Sequence, residues 1–382
     1  MKLLIINESE IYGGHEEMLL YFLSESSNFP KLNIKFIINK NNKKLIKRLS
    51  EKQFANIEVL KLPFSVFRIS PITNVLRLKD IILLCRVIKQ CDPEKVLVIQ
   101  GTVEISSLSL LVSKLLRYNT YSYIPITKSA RYLKVFLWRI RDFLNKYIYY
   151  KLPDKIITIS QFNKHELIND FDVEQCKISV VNNFINEIDI LNEESPRSSI
   201  ERDNSLQKTI SIAIIGRIDE FQKQQGKAIR ELVTMKDTGH NIVINIVGDG
   251  DTEEAVRLRN EFANDSNVKF HGWKNAEYVS NVINKSNALL IPSTFEGVPL
   301  VMIEAGLRGK VVLGSGVDGM KEFLPEFALF NNDLSNMNSV VRRFIDEQEY
   351  YNYYFRTIIK GNFHEHFSKE LNCNLFYKAI IG

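Results

Sequence analysis

Short runs of β-branched and other apolar residues alternate along the chain with longer segments in which apolar residues recur at helical spacing. The runs are nearly continuous in apolar character, which is typical of parallel strands buried on both faces. Seven of them precede residue 186: KLLIIN (2–7), NIKFIIN (33–39), IEVLKL (57–62), KVLVIQG (95–101), YSYIPIT (121–127), KIITIS (155–160) and KISVVNN (177–183). Segments 104–117 and 129–150 follow helical spacing. This alternation predicts an α/β fold with a doubly wound parallel sheet.

A polar, turn-rich stretch then interrupts the pattern. Residues 186–207, NEIDILNEESPRSSIERDNSLQ, are the predicted interdomain linker. The alternation restarts after it with SIAIIG (211–216), NIVINIVG (241–248), VKFHG (268–272), ALLIP (288–292), KVVLGS (310–315) and FALFN (327–331). We therefore predict two Rossmann-like domains, residues 1–185 and 208–360, and a ligand at the carboxyl ends of their strands, in the crevice between them.

The length and composition agree with two globular domains. A chain of 382 residues exceeds one ordinary core, and its 45% hydrophobic and 25% charged residues are ordinary for a globular protein. The cysteines show no metal-ligand spacing and are predicted to be reduced thiols: Cys85, Cys91, Cys176 and Cys373. No run approaches the ~20 apolar residues of a membrane span, and the N-terminal run is too short for a signal peptide. We expect a cytoplasmic protein.

The net charge of +5 is unevenly spread along the chain. Between Lys114 and Lys155, ten basic residues face only two acidic ones. A helix within 129–151 would direct one face to the core, namely Leu133, Phe136, Leu137, Ile140, Leu144, Tyr147 and Ile148. Its other face would carry Arg131, Lys134, Trp138 and Arg141. Such a basic stripe with a Trp is typical of contact with an anionic membrane; the alternatives are a solvated helix or a site for a soluble anionic acceptor. No nucleic-acid-binding fold accompanies the charge.

Two carboxylates lie eight residues apart in PSTFEGVPLVMIEAGLRG (292–309). Glu296 follows a predicted strand, and Pro299 and Gly309 mark the expected first residue and end of a helix. The start of this helix would offer amide groups to a phosphate, from Val298, Leu300 and Val301. Glu304 lies about 7–8 Å further along the helix axis. Both carboxylates could then accept hydrogen bonds from sugar hydroxyls. The alternative is a helix with an acidic first turn that merely complements the dipole.

Cations that could neutralise such a phosphate occur in IIGRIDEFQKQQGK (214–227). Gly216 ends the first strand of the second domain, Arg217 follows it, and Lys223 lies six residues further on. A loop at this position can present both side chains to a diphosphate, although an Arg and a Lys in a loop can equally be solvated.

Together these motifs resemble the retaining glycosyltransferases of family 4, which have the GT-B fold. PSTFEGVPLVMIEAG is similar to the E-x7-E signature of that family, and GRIDEFQKQQG to its diphosphate loop. IVGDG (246–250), FHGW (270–273) and GSGVDGMKEFL (314–324) follow in the family's order, and YGGHEEML (12–19) resembles its N-terminal glycine loop. The resemblance covers nearly the whole chain and is most specific in 211–324. It implies that segment 361–382 packs back on the first domain, which receives the acceptor.

The resemblance also implies roles for particular residues. Glu304 would bind the donor ribose, Glu296 a hydroxyl of the donor sugar, and Arg217 and Lys223 the diphosphate. The other residues implied in donor binding are Gly13, Gly14, Gly216, Gly297, Val298, Pro299, Leu300 and Val301. Negative charge develops on the leaving β-phosphate, so fixed cations and helix amides would supply most of the catalysis. The donor would be a UDP- or GDP-linked sugar, with no metal and no protein nucleophile. The acceptor would be a glycan or lipid-linked glycan precursor of cell-surface polysaccharide.

The chain departs from this family in the loop that follows YSYIPIT. Many relatives carry a His there, whereas this chain reads KSAR; Lys128, Ser129 and His15 are the candidate substitutes. A non-catalytic scaffold of the same fold therefore remains an alternative, and a nucleotide-sugar epimerase is a weaker one. An oxidoreductase is disfavoured because neither half carries G-x-G-x-x-G after its first strand. We interpret DGD (249–251) as a turn and His271 as a core histidine, and predict no metal site.

Overall fold

The computed structural model describes residues 1–52, 54, 56–65, 69–185, 209–235, 241–250 and 252–382. The predicted linker, 186–207, lies outside the described residues. The chain divides into two compact units, the first made of Met1–Asn183 with Glu370–Gly382 and the second of Phe184–Lys369. Among the described residues, no helix is long and apolar enough to cross a membrane.

A seven-stranded, entirely parallel sheet forms the centre of the first unit, with strand order β3-β2-β1-β4-β5-β6-β7. Its strands are β1 Lys2–Asn7, β2 Asn33–Asn39, β3 Ile57–Leu62, β4 Lys95–Ile99, β5 Asn119–Tyr123, β6 Lys155–Thr158 and β7 Ile178–Val180. Leu3 to Ile6 of β1 and Val96 to Ile99 of β4 are buried, as expected for central strands covered on both faces. The strand order reverses direction between β1 and β4, which makes this point the switch point of the sheet.

The second unit repeats this plan with a six-stranded parallel sheet in the order β10-β9-β8-β11-β12-β13. Its strands are β8 Ile210–Ile215, β9 Ile242–Val247, β10 Val268–Phe270, β11 Ala288–Ile291, β12 Val311–Ser315 and β13 Leu329–Phe330. Here the switch point lies between β8 and β11. The prediction of two Rossmann-like parallel sheets is confirmed, and each strand overlaps one predicted apolar run.

Helices connect the parallel strands, because parallel neighbours cannot be joined by a tight hairpin. In the first unit they are α1 Gly14–Ser24, α2 Lys43–Lys52, α3 Ser70–Thr73, α4 Leu78–Cys91, α5 Ser107–Leu115, α6 Trp138–Leu144 and α7 Gln161–Asn169. Those that follow are α8 Gln225–Thr234, α9 Glu253–Glu261, α10 Ala276–Lys285, α11 Leu300–Leu307, α12 Asp318–Phe323, α13 Met337–Asp346, α14 Gln348–Tyr354, α15 Lys360–His366 and α16 Lys369–Ile381.

The last helix, α16, packs on the first unit. The ring of Phe376 stacks on Phe22 of α1 with centroids 4.0 Å apart, and the Tyr377 hydroxyl donates to the Phe22 carbonyl at 2.8 Å. The return to the first unit begins at Glu370 rather than at residue 361. Helix α15 stays with the second unit because Phe363 packs so closely on Gly306 of α11 that a Cβ there would overlap its ring.

The predicted continuous helix over 129–150 is wrong. Lys134 and Leu137 adopt left-handed backbone angles, with φ of 52° and 57°, so α6 begins only at Trp138. The carboxylate of Asp142 accepts hydrogen bonds from the backbone amides of Ala130 and Arg131, at 2.6 and 3.1 Å, and holds this preceding turn in place.

The predicted faces of that helix are wrong as well. Phe136 was expected in the core, yet its side chain is 74% exposed, and Ile140 is also exposed. Arg141 was expected on the basic outer face, yet only 6% of it is exposed because its guanidinium pairs with Glu104. The surface of this segment is therefore rich in apolar side chains, with Arg131 and Lys134 beside them.

Candidate functional site

The residues predicted to bind a donor in the second unit follow the two strands at its switch point. The loop after β8 contains Gly216, Arg217 and Lys223, and the loop after β11 contains Glu296. Because β8 and β11 are hydrogen-bonded neighbours, both loops leave the same edge of the sheet. Ligands of open α/β sheets bind at this position.

Direct contacts join these two loops. The Thr294 amide donates to the Gln222 carbonyl at 2.7 Å, and the Thr294 hydroxyl donates to the Phe221 carbonyl at 3.0 Å. The rings of Phe221 and Phe295 pack edge to face, with centroids 5.9 Å apart. The loops therefore form one structured surface at the carboxyl end of the sheet.

Two of the predicted residues contact each other on this surface. The ammonium of Lys223 forms an ion pair with Glu296, whose Oε1 also accepts from the Ser293 hydroxyl at 2.8 Å. The Glu296 amide donates to Asp318 Oδ2 at 2.9 Å. Asp318 begins α12, after the next strand of the sheet. The contacts hold a partly buried carboxylate and a cation side by side, where a sugar hydroxyl and a phosphate oxygen could meet them.

The side chain of Arg217 is more exposed to solvent than that of Lys223. Half of its side chain is exposed, and its guanidinium donates to Asp219 Oδ2 at 2.9 Å. The preceding Gly216 has φ +146°, and a Cβ on Gly248, at the end of β9, would overlap the Gly216 carbonyl oxygen. The loop thus starts where two backbones approach closely, a conformation that requires glycine.

Helix α11 begins one residue later than predicted. Pro299 is its N-cap rather than its first helical residue, and the Pro299 carbonyl accepts from the Met302 and Ile303 amides at 3.0 and 3.2 Å. The amides of Leu300 and Val301 precede these in the first turn, where an α-helix offers N–H groups to an anion. Gly297 and Val298 lie against the start of α12, where a Cβ on Gly319 would overlap the Gly297 carbonyl.

Glu304 lies one turn into α11 and is held by two side chains that the sequence analysis missed. Ser280 of α10 donates its hydroxyl to Glu304 Oε1 at 2.8 Å, and the Arg308 guanidinium lies 3.3 Å from the same oxygen. The spacing of Glu304 and Arg308, i and i+4, could have revealed the second contact. The contact with Ser280 joins separate helices, and no local pattern indicates it.

The predicted glycines of the first unit occupy the equivalent place in its sheet. Gly13 is the N-cap of α1 and Gly14 its first residue, and the Gly13 amide donates to Glu16 Oε2 at 2.8 Å. The Nε2 atom of His15 lies 2.8 Å from Glu16 Oε1. A Cβ on Gly101, just beyond β4, would lie 3.0 Å from His15 Cε1. His15 therefore lies at the switch point between β1 and β4.

The other two candidates to replace the missing histidine contact other residues of the first unit. Lys128 pairs with Glu166 and lies over the Phe162 ring, 4.8 Å from its centroid. The hydroxyl of Ser129 accepts from the Tyr132 amide at 3.1 Å. Of the three, His15 is the one at the switch point.

The remaining polar motifs of the second unit make structural contacts. Asp249 pairs with Arg259 and accepts from the Gly250 amide at 2.8 Å, whereas Asp251 lies outside the described residues. His271 bonds through both ring nitrogens, to Asn245 at 3.0 Å and to Tyr278 at 2.8 Å, and burial lowers its pKa. Within the described part of the chain, no three His, Cys, Asp or Glu side chains are grouped so that they could hold a metal ion.

Comparison with known proteins relates the chain to glycosyltransferases. Residues 209–345 match the family model described as glycosyl transferases group 1. An uncharacterized glycosyltransferase of Methanocaldococcus jannaschii is 27% identical over 174 residues, 44% of each chain. The Escherichia coli UDP-Gal:α-D-GlcNAc-diphosphoundecaprenol α-1,3-galactosyltransferase is 24% identical over 218 residues, 52% of this chain and 53% of its own. The chain thus spans about half the length of these relatives.

Solved structures extend the similarity of fold to the whole chain. The crystal structure of Anabaena Alr3699/HepE in complex with UDP and glucose has a TM-score of 0.73, with 14% identity, over 100% of both chains. The fold is the two-domain GT-B fold that the sequence predicted.

Proposed function

We propose that the chain is a retaining glycosyltransferase that moves a hexose from a nucleoside diphosphate sugar to a hydroxyl of a glycan or lipid-linked glycan precursor. One observation carries this proposal: Lys223 and Glu296 are paired at the switch point of the second sheet, beside the start of α11. The match to the glycosyl transferase model over residues 209–345 supports it. So does the likeness to an enzyme named for transferring galactose.

The proposed donor site uses each group according to its chemistry. Lys223 and Arg217 bind the diphosphate together with the first amides of α11. Glu296 accepts a hydrogen bond from a hydroxyl of the transferred sugar, and Glu304 accepts from the ribose. Gly13 and Gly14 are the proposed donor-binding residues of the first unit. In this scheme the donor replaces the Lys223–Glu296 contact with one phosphate contact and one hydroxyl contact.

The proposed reaction breaks the bond between the anomeric carbon and the β-phosphate oxygen, and the bonding electrons leave with the phosphate. The acceptor hydroxyl bonds to the anomeric carbon from the same face, and its proton passes to the leaving phosphate oxygen. Negative charge grows on that phosphate, so Arg217 and Lys223 stabilise the transition state more than the bound donor. We propose that neither a metal ion nor another cofactor takes part.

We further propose synthesis of cell-surface polysaccharide as the setting and the cytoplasm as the compartment. The diphosphoundecaprenol-linked acceptor in the name of the E. coli relative supports the former. The latter is supported by all four cysteines being free thiols, which is typical of reducing compartments.

A donor screen tests the proposal against the alternative of a non-catalytic scaffold. The purified chain would be incubated with UDP-, GDP-, ADP- and dTDP-linked sugars while release of the nucleoside diphosphate is followed, and binding of each bare nucleotide would be measured by calorimetry. We expect slow release from the donors of one nucleotide and binding of that same nucleotide. Binding without any release would favour the scaffold, and absence of both would contradict the donor site itself.

A further inference from the structure

A cavity of about 290 Å³ opens in the first unit at the switch point of its sheet. Its walls come from the loop after β1, the loop after β4, the segment around α3 and the turn that precedes α6. The volume is near the lower end of the range for small-molecule sites. It is therefore suited to one sugar ring rather than to a whole nucleotide sugar.

Two buried pairs of carboxylate and guanidinium line the cavity. Arg77 lies 3.3 Å from Glu8, and Arg141 donates to Glu104 through Nε at 3.0 Å. Asn145 also donates to Glu104, at 2.9 Å. Burial raises the pKa of the Glu8 carboxyl, and the nearby Arg77 opposes that shift.

These walls match a neutral sugar better than a phosphate. Carboxylates accept hydrogen bonds from hydroxyls and guanidinium groups donate to them, so the two pairs offer both kinds of partner. Glu10 also lines the cavity, which leaves three carboxylates against two guanidinium groups and disfavours an anion there. Leu133 and Val135 give the apolar wall on which the C–H face of a sugar ring can pack.

Exposed apolar side chains surround the lining residues in the sequence. We define the apolar rim as two groups of these side chains. Its residues are Val75, Leu76 and Leu78, which flank Arg77, and Tyr132, Phe136, Leu137 and Ile140, which flank Leu133, Val135 and Arg141. Helix α3, which shortly precedes the first group in the sequence, packs against α6, which contains Ile140 of the second group. An exposed patch of large apolar side chains marks an interaction surface.

The rim also carries cations and a tryptophan. The guanidinium groups of Arg131 and Arg139 lie 5.3 and 5.1 Å from the centre of the Trp138 ring, and Lys134 is exposed in the same turn. Apolar side chains bordered by Trp and by cations are the combination that binds the interface of an anionic bilayer.

We propose that the cavity binds the sugar of a lipid-linked acceptor while the apolar rim docks on an anionic membrane. This inference rests on the proposed function and adds to it a site for the acceptor. The sugar enters between the Glu8–Arg77 and Glu104–Arg141 pairs. Arg131, Lys134 and Arg139 meet lipid phosphates and the phosphate that links the sugar to its lipid. Arg141, which the sequence assigned to the membrane, belongs to the cavity instead.

Vesicle flotation tests the membrane part. At low salt, the wild type should float with phosphatidylglycerol vesicles and not with vesicles of phosphatidylcholine alone. Changing Arg131, Lys134 and Arg139 to Glu should weaken binding by at least about 100-fold, since each cation near the surface contributes roughly fivefold and each added carboxylate is repelled by anionic lipid. The matched control changes three exposed lysines on α2 of the same unit to Glu, namely Lys43, Lys44 and Lys47. It should bind the vesicles more tightly than the variant with Glu at 131, 134 and 139.

A second pair of variants separates apolar docking from charge. Leu76→Ser with Phe136→Ser removes two side chains that are 76% and 74% exposed, so folding should be unaffected. Tyr353→Ser, at a residue that is 67% exposed in the second unit, is the control. Unchanged flotation of the double variant, or failure of the wild type to float, would overturn the proposal. The wild type could instead form a dimer and fail to bind vesicles, with the dimer disrupted in the double variant. The apolar rim would then be a contact between two copies of the chain, and the proposal would be overturned.

The cavity part is tested with polyprenyl-diphosphate monosaccharides (hexose, N-acetylhexosamine and 6-deoxyhexose) in the same vesicles. At least one should accelerate nucleoside diphosphate release tenfold or more over hydrolysis. Ile11→Trp, at a 65% exposed lining residue, and Glu104→Gln should abolish that stimulation but leave nucleotide binding and hydrolysis intact. Equal stimulation by the soluble methyl glycosides, or stimulation that survives both variants, would overturn the assignment. A wild type that neither hydrolyses a donor nor binds a nucleotide would instead contradict the proposed function.

Discussion

The Glu304→Ala substitution tests the proposed contact between Glu304 and the ribose of the donor. In the proposed complex, the Glu304 carboxylate accepts a hydrogen bond from the ribose, and Ser280 and Arg308 hold it in position at 2.8 and 3.3 Å. Because Glu304 is already oriented, removing it should cost the full value of a hydrogen bond to a charged group, about 1.5–3 kcal/mol. The nucleoside diphosphate should then bind about 10- to 150-fold more weakly.

The same substitution also affects stability. The Arg308 side chain is only 5% exposed, and it loses its carboxylate partner. It keeps hydrogen bonds to the Ser280 hydroxyl at 2.7 Å and to the Glu304 carbonyl at 3.2 Å. The loss should therefore stay below the ~3–5 kcal/mol of a fully broken buried pair. Arg308→Ala is the matched control, because it breaks the same pair and leaves the carboxylate in place.

Calorimetric titration with the bare nucleoside diphosphate, alongside thermal unfolding, distinguishes the two effects. Both variants should unfold at lower temperature, but Glu304→Ala should lose much more nucleotide affinity than Arg308→Ala. Glu296→Ala should bind the bare nucleotide normally and lose sugar transfer. Wild-type affinity in Glu304→Ala, or an equal loss in Arg308→Ala, would refute the ribose contact.

Three further predictions concern the second unit and the proposed chemistry. Gly248→Ala should lower the melting temperature markedly, because its Cβ would overlap the Gly216 carbonyl, whereas Gly14→Ala, in open space, should leave it nearly unchanged. Because burial lowers the pKa of His271, the unfolded chain binds its proton more readily; the free energy of unfolding should fall as the pH drops below about 6.5, and less so in His271→Gln. Donor turnover should survive EDTA; abolition by EDTA with rescue by a divalent cation would contradict the proposed metal-free reaction.

The strands could be predicted from the sequence because the sheets are parallel and buried. ALLIP, for example, predicted the strand Ala288–Ile291, every residue of which is buried. The ends of the strands were predicted less accurately. The apolar run YSYIPIT continues to residue 127, but β5 stops at Tyr123. Pro125, two residues later, has no N–H for a sheet hydrogen bond. Apolar runs locate buried strands well, and backbone chemistry at their ends sets the limits.

The surface of residues 129–150 could not be predicted in this way. Helical spacing of apolar residues indicates a buried face only under two conditions. The segment must be one continuous helix, and its apolar side chains must lie in the core. Many apolar side chains of folded proteins are exposed, so the second condition often fails. Here Arg141 is buried in a pair with Glu104, which lies 37 residues earlier in the sequence. The left-handed backbone of Leu137 interrupts the helix beside Phe136, whose side chain is exposed.

The sequence predicted which residues belong to the proposed donor site, but it did not predict the contacts that orient them. Each predicted carboxylate is fixed by a side chain distant in sequence, Glu304 by Ser280 and Glu296 by Lys223, 24 and 73 residues away. Only the fold brings such pairs together. A motif therefore identifies which groups could act, and the structure identifies what holds them.

The most direct test of the central claim is the kinetics of Arg217→Ala and Lys223→Ala with the donor that the wild type uses. If these cations stabilise the charge that grows on the leaving phosphate, each substitution should lower kcat by about 10²–10³-fold and change KM far less. Thermal unfolding of each variant would show that the second unit remains folded. A variant that carries both substitutions and turns over near the wild-type rate would contradict the account. The diphosphate would then leave without Arg217 and Lys223, which the account assigns to it.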